Sequence, residues 1–199
     1  MERFYRANFI NTLSGFKSVS LIGTVNEQQQ TNLAIFSNII HLGADPALIA
    51  FQNRPRAAAP HTLANIEATG VYTINHIHAN IVAAAHQTSA KYPADISEFD
   101  ATGLTPQFID GIAAPFVLES TIKYALKLVE VVPITHNGTF LVIGTITDVL
   151  VDETLLTADG FIPLEQAGSI CSLGIDGYYT TQPIARFAYA KPDIPASIL

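Results

Sequence analysis

Short apolar runs broken by polar and turn-forming residues dominate this chain, and their spacing predicts mainly strands. Ser20 to Asn26 is rich in strand-forming residues, and the polar run Glu27-Gln28-Gln29-Gln30-Thr31 predicts a loop leading into a second strand over Asn32 to Asn38. Asp45-Pro46 marks a turn, and Ala47 to Asn53 has the length and apolar character of a buried strand. Thr62 to Thr69 predicts a short helix stopping at Gly70, with Leu63 and Ile66 spaced to share a face. Val71 to Ile77 returns to strand. Asn80 is placed to cap a second helix through Ser89, whose alanine-rich middle favours that state.

Pro, Gly and Asp recur from Tyr92 to Pro115 and predict an irregular excursion with short turns, a kind of segment that is often functional in compact domains. Phe116 to Thr135 and Thr139 to Val151 are rich in Val, Ile, Leu and Thr and flank His136-Asn137-Gly138, the strongest hairpin cue in the chain. Together these elements predict a mainly β fold, an antiparallel barrel of six or seven strands with peripheral α-helices, formed as one domain over residues 1–199.

Composition then narrows the partners. Charged residues make up only 14% of the 199 and apolar ones 49%, which predicts surface hidden in a subunit contact, most simply a homodimer. Seventeen acids against ten bases give a net charge of −7, which argues against nucleic acid and anionic membranes as partners. No apolar run approaches the roughly 18 residues that cross a bilayer. The opening Met1-Glu2-Arg3-Phe4-Tyr5-Arg6 lacks the apolar stretch of a secretory signal, and Cys171 is a single cysteine, so a reducing, cytoplasmic setting is expected. Asn137-Gly138-Thr139 matches a glycosylation sequon but in that setting reads as a turn.

Candidate chemistry gathers at the ends of the predicted strands. Arg54 offers a planar fork for phosphate oxygens, Ser37 and Thr62 offer hydroxyls, and the helix start near Thr62 offers free N–H groups. A small anionic ligand with a hydrogen-bonding ring edge fits this set, and flavin mononucleotide (FMN) is such a ligand. Taken singly, Ser37 and Thr62 also read as a strand-end hydroxyl and a helix cap. His76 and His78 are two apart on a strand and His86 lies on the next helix, yet no Cys or carboxylate stands at a supporting spacing, so no metal site is expected. Glu98-Phe99, Lys123 and Lys127 read either as an entrance to the site or as a solvated acidic loop and an exposed lysine face. No nucleophile elbow, Walker loop, dinucleotide fingerprint or His-Glu-x-x-His motif is present.

Asn32-Leu33-Ala34-Ile35-Phe36-Ser37, Arg54-Pro55, Thr62-x-x-Asn65-Ile66, Ser97-Glu98-Phe99-x-x-x-Gly103-Leu104-Thr105 and Ile184-Ala185-Arg186-Phe187, in this order, resemble the flavin reductase-like family of FMN-binding split-barrel proteins. The resemblance runs from about Leu13 to Pro192. It implies a split-barrel homodimer with FMN near the dimer contact and NAD(P)H as co-substrate, giving a flavin reductase activity; a non-catalytic FMN electron carrier is the alternative. By position, Asn32, Leu33, Ala34, Ser37 and Asn38 line the ring and its phosphate side. Asn53, Arg54 and Thr62 hold the tail, and Ser89, Lys91 and Tyr92 close over the cofactor. Two departures stand out: Pro60-His61 replaces the family's usual Lys-Asp, and Ile35 replaces a usual proline. His61 or Arg56 is then expected to stand in for the missing lysine charge, although a histidine at a helix start also reads as a surface residue.

Overall fold

The computed structural model describes residues 1–199. Helix α1 (Arg3–Leu13) precedes the strands β1 (Lys17–Ser18), β2 (Ser20–Val25), β3 (Thr31–Phe36), β4 (Ile39–Ala44) and β5 (Ala47–Asn53). Helix α2 (Pro60–Thr69) and strand β6 (Val71–His76) follow, then a 3₁₀ turn at Ala79–Ile81 that runs into α3 (Val82–Gln87). Next come α4 (Glu98–Thr102), β7 (Pro106–Ile109), β8 (Ile112–Val117), and the long pair β9 (Lys123–Ile134) and β10 (Thr139–Leu150). A 3₁₀ turn at Glu153–Leu155 leads to β11 (Ile170–Leu173) and β12 (Gly177–Thr180).

Seven strands form one antiparallel sheet in the order β3-β2-β6-β9-β10-β5-β4. Three short strands, β1-β11-β12, make a second sheet, and β7 and β8 pair as a separate hairpin. The fold is the mainly β split barrel with peripheral helices that the sequence predicts. β2 shows why the sheet holds together: it is buried at every position, because successive side chains enter different cores. Ile22 joins Phe51, Leu63, Ile66, Tyr72 and Leu126 in one core, while Leu21 joins Leu33, Ile77, Phe99 and Val117 in the other. At roughly 1.5–3 kcal/mol for each fully buried side chain of this size, the two cores supply the main driving force for folding.

Helix α2 is placed by its apolar pair. Leu63 and Ile66 are fully buried, as their spacing predicts, and the helix stops at Gly70, whose φ of 73° is the left-handed geometry that closes a helix end. It begins at Pro60, two residues before the predicted start, because proline is pre-set for the first helical position.

Several expectations need correction. Asn80 does not cap a helix; it lies inside the 3₁₀ turn, and α3 has no side-chain cap. The segment from Tyr92 to Pro115 is not wholly irregular, since α4, β7 and most of β8 lie in it. The Ser97 hydroxyl accepts the Phe99 N–H and starts α4, and Gly103 ends that helix at φ 74°. Phe116 to Thr135 is not one run: β8 ends at Val117 and β9 begins at Lys123. The β9–β10 turn takes four residues, Thr135 to Gly138. Glu98 is buried, not a solvated loop acid, and Lys123 is buried too, its Nζ donating to the carbonyls of Val117 and Leu118. Lys127 does face solvent. No helix is long and apolar enough to cross a membrane.

Candidate functional site

Strand β3 and helix α2 meet at a polar contact. Asn32 Nδ2 donates to Thr62 Oγ1 across 3.3 Å, and both residues are buried. Asn32, His61, Asn65 and Glu98 line a recess of about 90 Å³ beside that contact. Leu33 turns its side chain into the core, while its backbone N–H donates to Glu98 Oε2 at 2.9 Å; Ala34 is half-buried opposite Ile22 on β2.

Ser37 and Asn38 lie at the far end of β3, where they line a more open groove of about 290 Å³ together with Phe16, Ser18 and Gln52. A chain of amides and hydroxyls crosses from there to the β9–β10 turn. Asn38 Nδ2 donates to Gln52 Oε1 at 3.3 Å, Gln52 Nε2 to Thr139 Oγ1 at 3.1 Å, and Thr139 Oγ1 to Asn137 Oδ1 at 2.7 Å. Five residues of strand separate Asn32 from Ser37, about 16 Å of extended backbone. Ser37 and Thr62 therefore stand in different places and share neither recess.

Asn53 closes β5 in a fully buried position. Its Nδ2 donates to the Arg54 carbonyl at 2.7 Å, and its Oδ1 has no partner. Arg54 is exposed and has no ion-pair partner, whereas Arg56 is engaged: both guanidinium arms reach Glu67 at 2.6 Å and its plane covers the Phe140 ring at 4.8 Å. That bidentate bond holds the Glu67 carboxyl below its usual range and commits both outer guanidinium nitrogens of Arg56. The nearby start of α2 has Ala59 at its N-cap with no side-chain hydrogen bond, so the N–H groups of the first turn are not capped by any side chain.

The remaining expected residues are spread out. Ser89 and Lys91 are exposed beyond α3, Tyr92 is half-buried with its hydroxyl accepting from Gln87 Nε2 at 3.0 Å, and none of the three lines either recess. His76 Nδ1 bonds Ser169 Oγ at 3.0 Å, His78 Nε2 donates to the Glu119 carbonyl at 2.9 Å, and His86 Nδ1 bonds the Tyr178 hydroxyl at 2.7 Å. These three rings serve three separate contacts. Burial holds His76 near a pKa of about 4, neutral at ordinary pH.

Sequence reasoning did not assign Gln52 or Asn65 to the site and left Glu98 open between entrance and loop. Gln52 carries little signal, since an amide inside an apolar strand also reads as an exposed edge residue. Ser97 followed by an acid was a readable helix-start signal for α4, but no local signal places Glu98 against β3.

A model of the flavin reductase like domain matches residues 14–166. The chain belongs to the flavin reductase-like family. Over 96% of its length it is similar to a proposed flavin reductase with a split-barrel domain from Shewanella frigidimarina NCIMB 400, at 51% identity, 94% coverage of that chain and a TM-score of 0.92. Nitrilotriacetate monooxygenase component B from Bacillus cereus shares the fold at 23% identity and a TM-score of 0.83, with 92% of this chain and 93% of that one covered. So does an FMN-binding protein from Thermus thermophilus with bound 1-cyclohex-2-enone, at 16% identity and a TM-score of 0.67, with 84% and 90% covered. In this flavin reductase-like domain the matched segment contains β2, β3, β5 and α2, and so holds both recesses.

Proposed function

We propose that this flavin reductase-like chain is an oxidoreductase that binds FMN and uses NAD(P)H to reduce it. The observation that carries the cofactor assignment is the uncapped first turn of α2, following the unpaired Arg54. Open N–H groups at a helix start attract a phosphate dianion, and a guanidinium without a carboxylate partner adds a charge-assisted hydrogen bond. Thr62 accepts from Asn32 and still has its own hydroxyl hydrogen to donate. Asn53 Oδ1, buried and unpartnered, is an acceptor that a ribityl hydroxyl would satisfy. The residues present thus fit both the acidic and the hydroxyl-bearing parts of FMN.

When bound, FMN would supply the hydride- and electron-transfer chemistry between NAD(P)H and a second acceptor. The protein's part is placement and exclusion of water. β3, with Asn32, Leu33 and Ala34, supplies one wall; Ser37 and Asn38 at its other end, and Ser89, Lys91 and Tyr92 beyond α3, complete the proposed contacts. No side chain is required as an acid or base. The enzyme works as a homodimer in this reading, supported by the apolar side chains of Phe4, Tyr5, Phe9, Ile10 and Leu13, which α1 leaves exposed.

A visible spectrum of the purified protein with added FMN tests the cofactor, and NADH and NADPH oxidation with that flavin tests the reaction. Flavin-dependent oxidation of either nucleotide supports the reductase. Bound flavin with no turnover leaves an electron carrier, and no flavin binding dismisses both.

A further inference from the structure

β3 ends the seven-strand order, so its outer edge carries backbone groups with no strand to pair with. Three consecutive residues of the α4 start cover that edge. The Ser97 and Thr31 hydroxyls share a hydrogen bond of 2.7 Å, Glu98 Oε2 accepts the Leu33 N–H at 2.9 Å, and Phe99 packs in the same core as the Leu33 side chain. Glu98 is 7% exposed. Its carboxylate makes no further side-chain bond in the structure and lines the small recess that Asn32 and His61 also line. A buried carboxylate costs free energy unless its oxygens are satisfied, and here backbone N–H groups alone serve it, with no cationic partner bonded to it.

We propose that Glu98 is a positioning residue for the flavin site, fixing the backbone of Thr31 to Ala34 through Leu33 so that flavin binding depends on the charge of this carboxylate. The inference rests on the FMN reading above. Asn32 to Ala34 is the wall that reading assigns to the flavin, and an edge strand paired with another strand on one side only would otherwise fray at those residues. Ionised Glu98 is a stronger acceptor for Leu33 than the neutral acid. Burial pushes the Glu98 carboxyl above its usual range, while the Leu33 N–H, its own backbone N–H and, least, His61 pull it back. His61 on α2 is the other titratable side chain in the recess; the β2–β3 loop, β3 and the 93–96 segment place no charge there.

The test is FMN titration by fluorescence between pH 4.5 and 7.5 on wild-type protein, Glu98→Gln and Glu98→Leu, with amide hydrogen exchange at Leu33 read alongside. Glutamine keeps an acceptor that does not titrate; leucine removes it. Glu98→Leu is expected to weaken FMN binding on the order of 5- to 10-fold and to speed exchange at Leu33. Glu98→Gln, uncharged at every pH, is expected to bind FMN more weakly than wild type at pH 7.5 but more tightly than Glu98→Leu, and the ratio of its dissociation constant to that of wild type falls as pH falls and Glu98 takes up a proton. Equal FMN affinity in wild type and Glu98→Leu, or a constant ratio across pH, would overturn the inference while leaving the flavin assignment intact. Absence of FMN binding by wild-type protein at every pH would overturn the assignment and the inference together.

Discussion

Gly23 on β2 lies so close to the Pro115 carbonyl on β8 that a Cβ built on it would come within 2.2 Å of that oxygen. The same carbonyl accepts the Thr73 hydroxyl at 2.6 Å, and Asn75 Oδ1 accepts the Val117 N–H at 2.9 Å. The β7–β8 hairpin is therefore seated on β2 and β6 at a point where only glycine fits. Gly23→Ala is expected to destabilise the fold by about 1–3 kcal/mol, because the strand must move off the hairpin or the hairpin off the strand. Urea denaturation measures this, and an unchanged midpoint would show that the contact yields freely.

The two neighbouring arginines should separate in function. Arg54→Ala is expected to weaken FMN binding by roughly tenfold or more, the loss of a charge-assisted bond of about 1.5–3 kcal/mol. Arg56→Ala, whose guanidinium is already held by Glu67 and Phe140, should leave FMN affinity within about twofold and cost less than about 1 kcal/mol of stability. Paired titrations of the two variants check this, and equal losses would place the phosphate elsewhere.

His76 gives the fold an acid limit. Its pKa is about 4 in the folded protein against an ordinary histidine value of 6.5, so between these two values the unfolded chain binds more protons and stability rises with pH. The contribution is complete above pH 6.5 and is lost progressively as pH falls to about 4, by at most roughly 3 kcal/mol. Urea midpoints of wild-type protein should drop across that window, and those of His76→Gln should drop less. Parallel curves would show that other groups set the limit.

The proposed homodimer is testable at α1, no residue of which is buried in its own chain. An eleven-residue helix is marginal in water without packing, and this one exposes Phe9 and Leu13. Sedimentation should give twice the chain mass for wild type. Phe9→Glu with Leu13→Glu should shift it toward monomer, while a monomeric wild type would remove the dimer from the proposal.

The sequence alone determined the main strands, because β2, β5 and β10 are rich in Val, Ile, Leu, Phe, Thr and Ala and are flanked by polar or turn-forming residues, and it determined α2, whose Leu63 and Ile66 pair and Gly70 stop are local signals. It also carried the family resemblance, since the ordered motifs from Asn32 to Phe187 are read along the chain. Only the tertiary structure decided that Asn32 and Thr62 touch while Ser37 lies about five residues of strand away, that Arg56 is taken up by Glu67, and that Glu98 is buried against the edge of β3. These relationships join residues up to 65 positions apart, as in the bond from Leu33 to Glu98. No local pattern encodes them, because a charged side chain reads as solvent-exposed until the packing of distant elements gives it a buried partner.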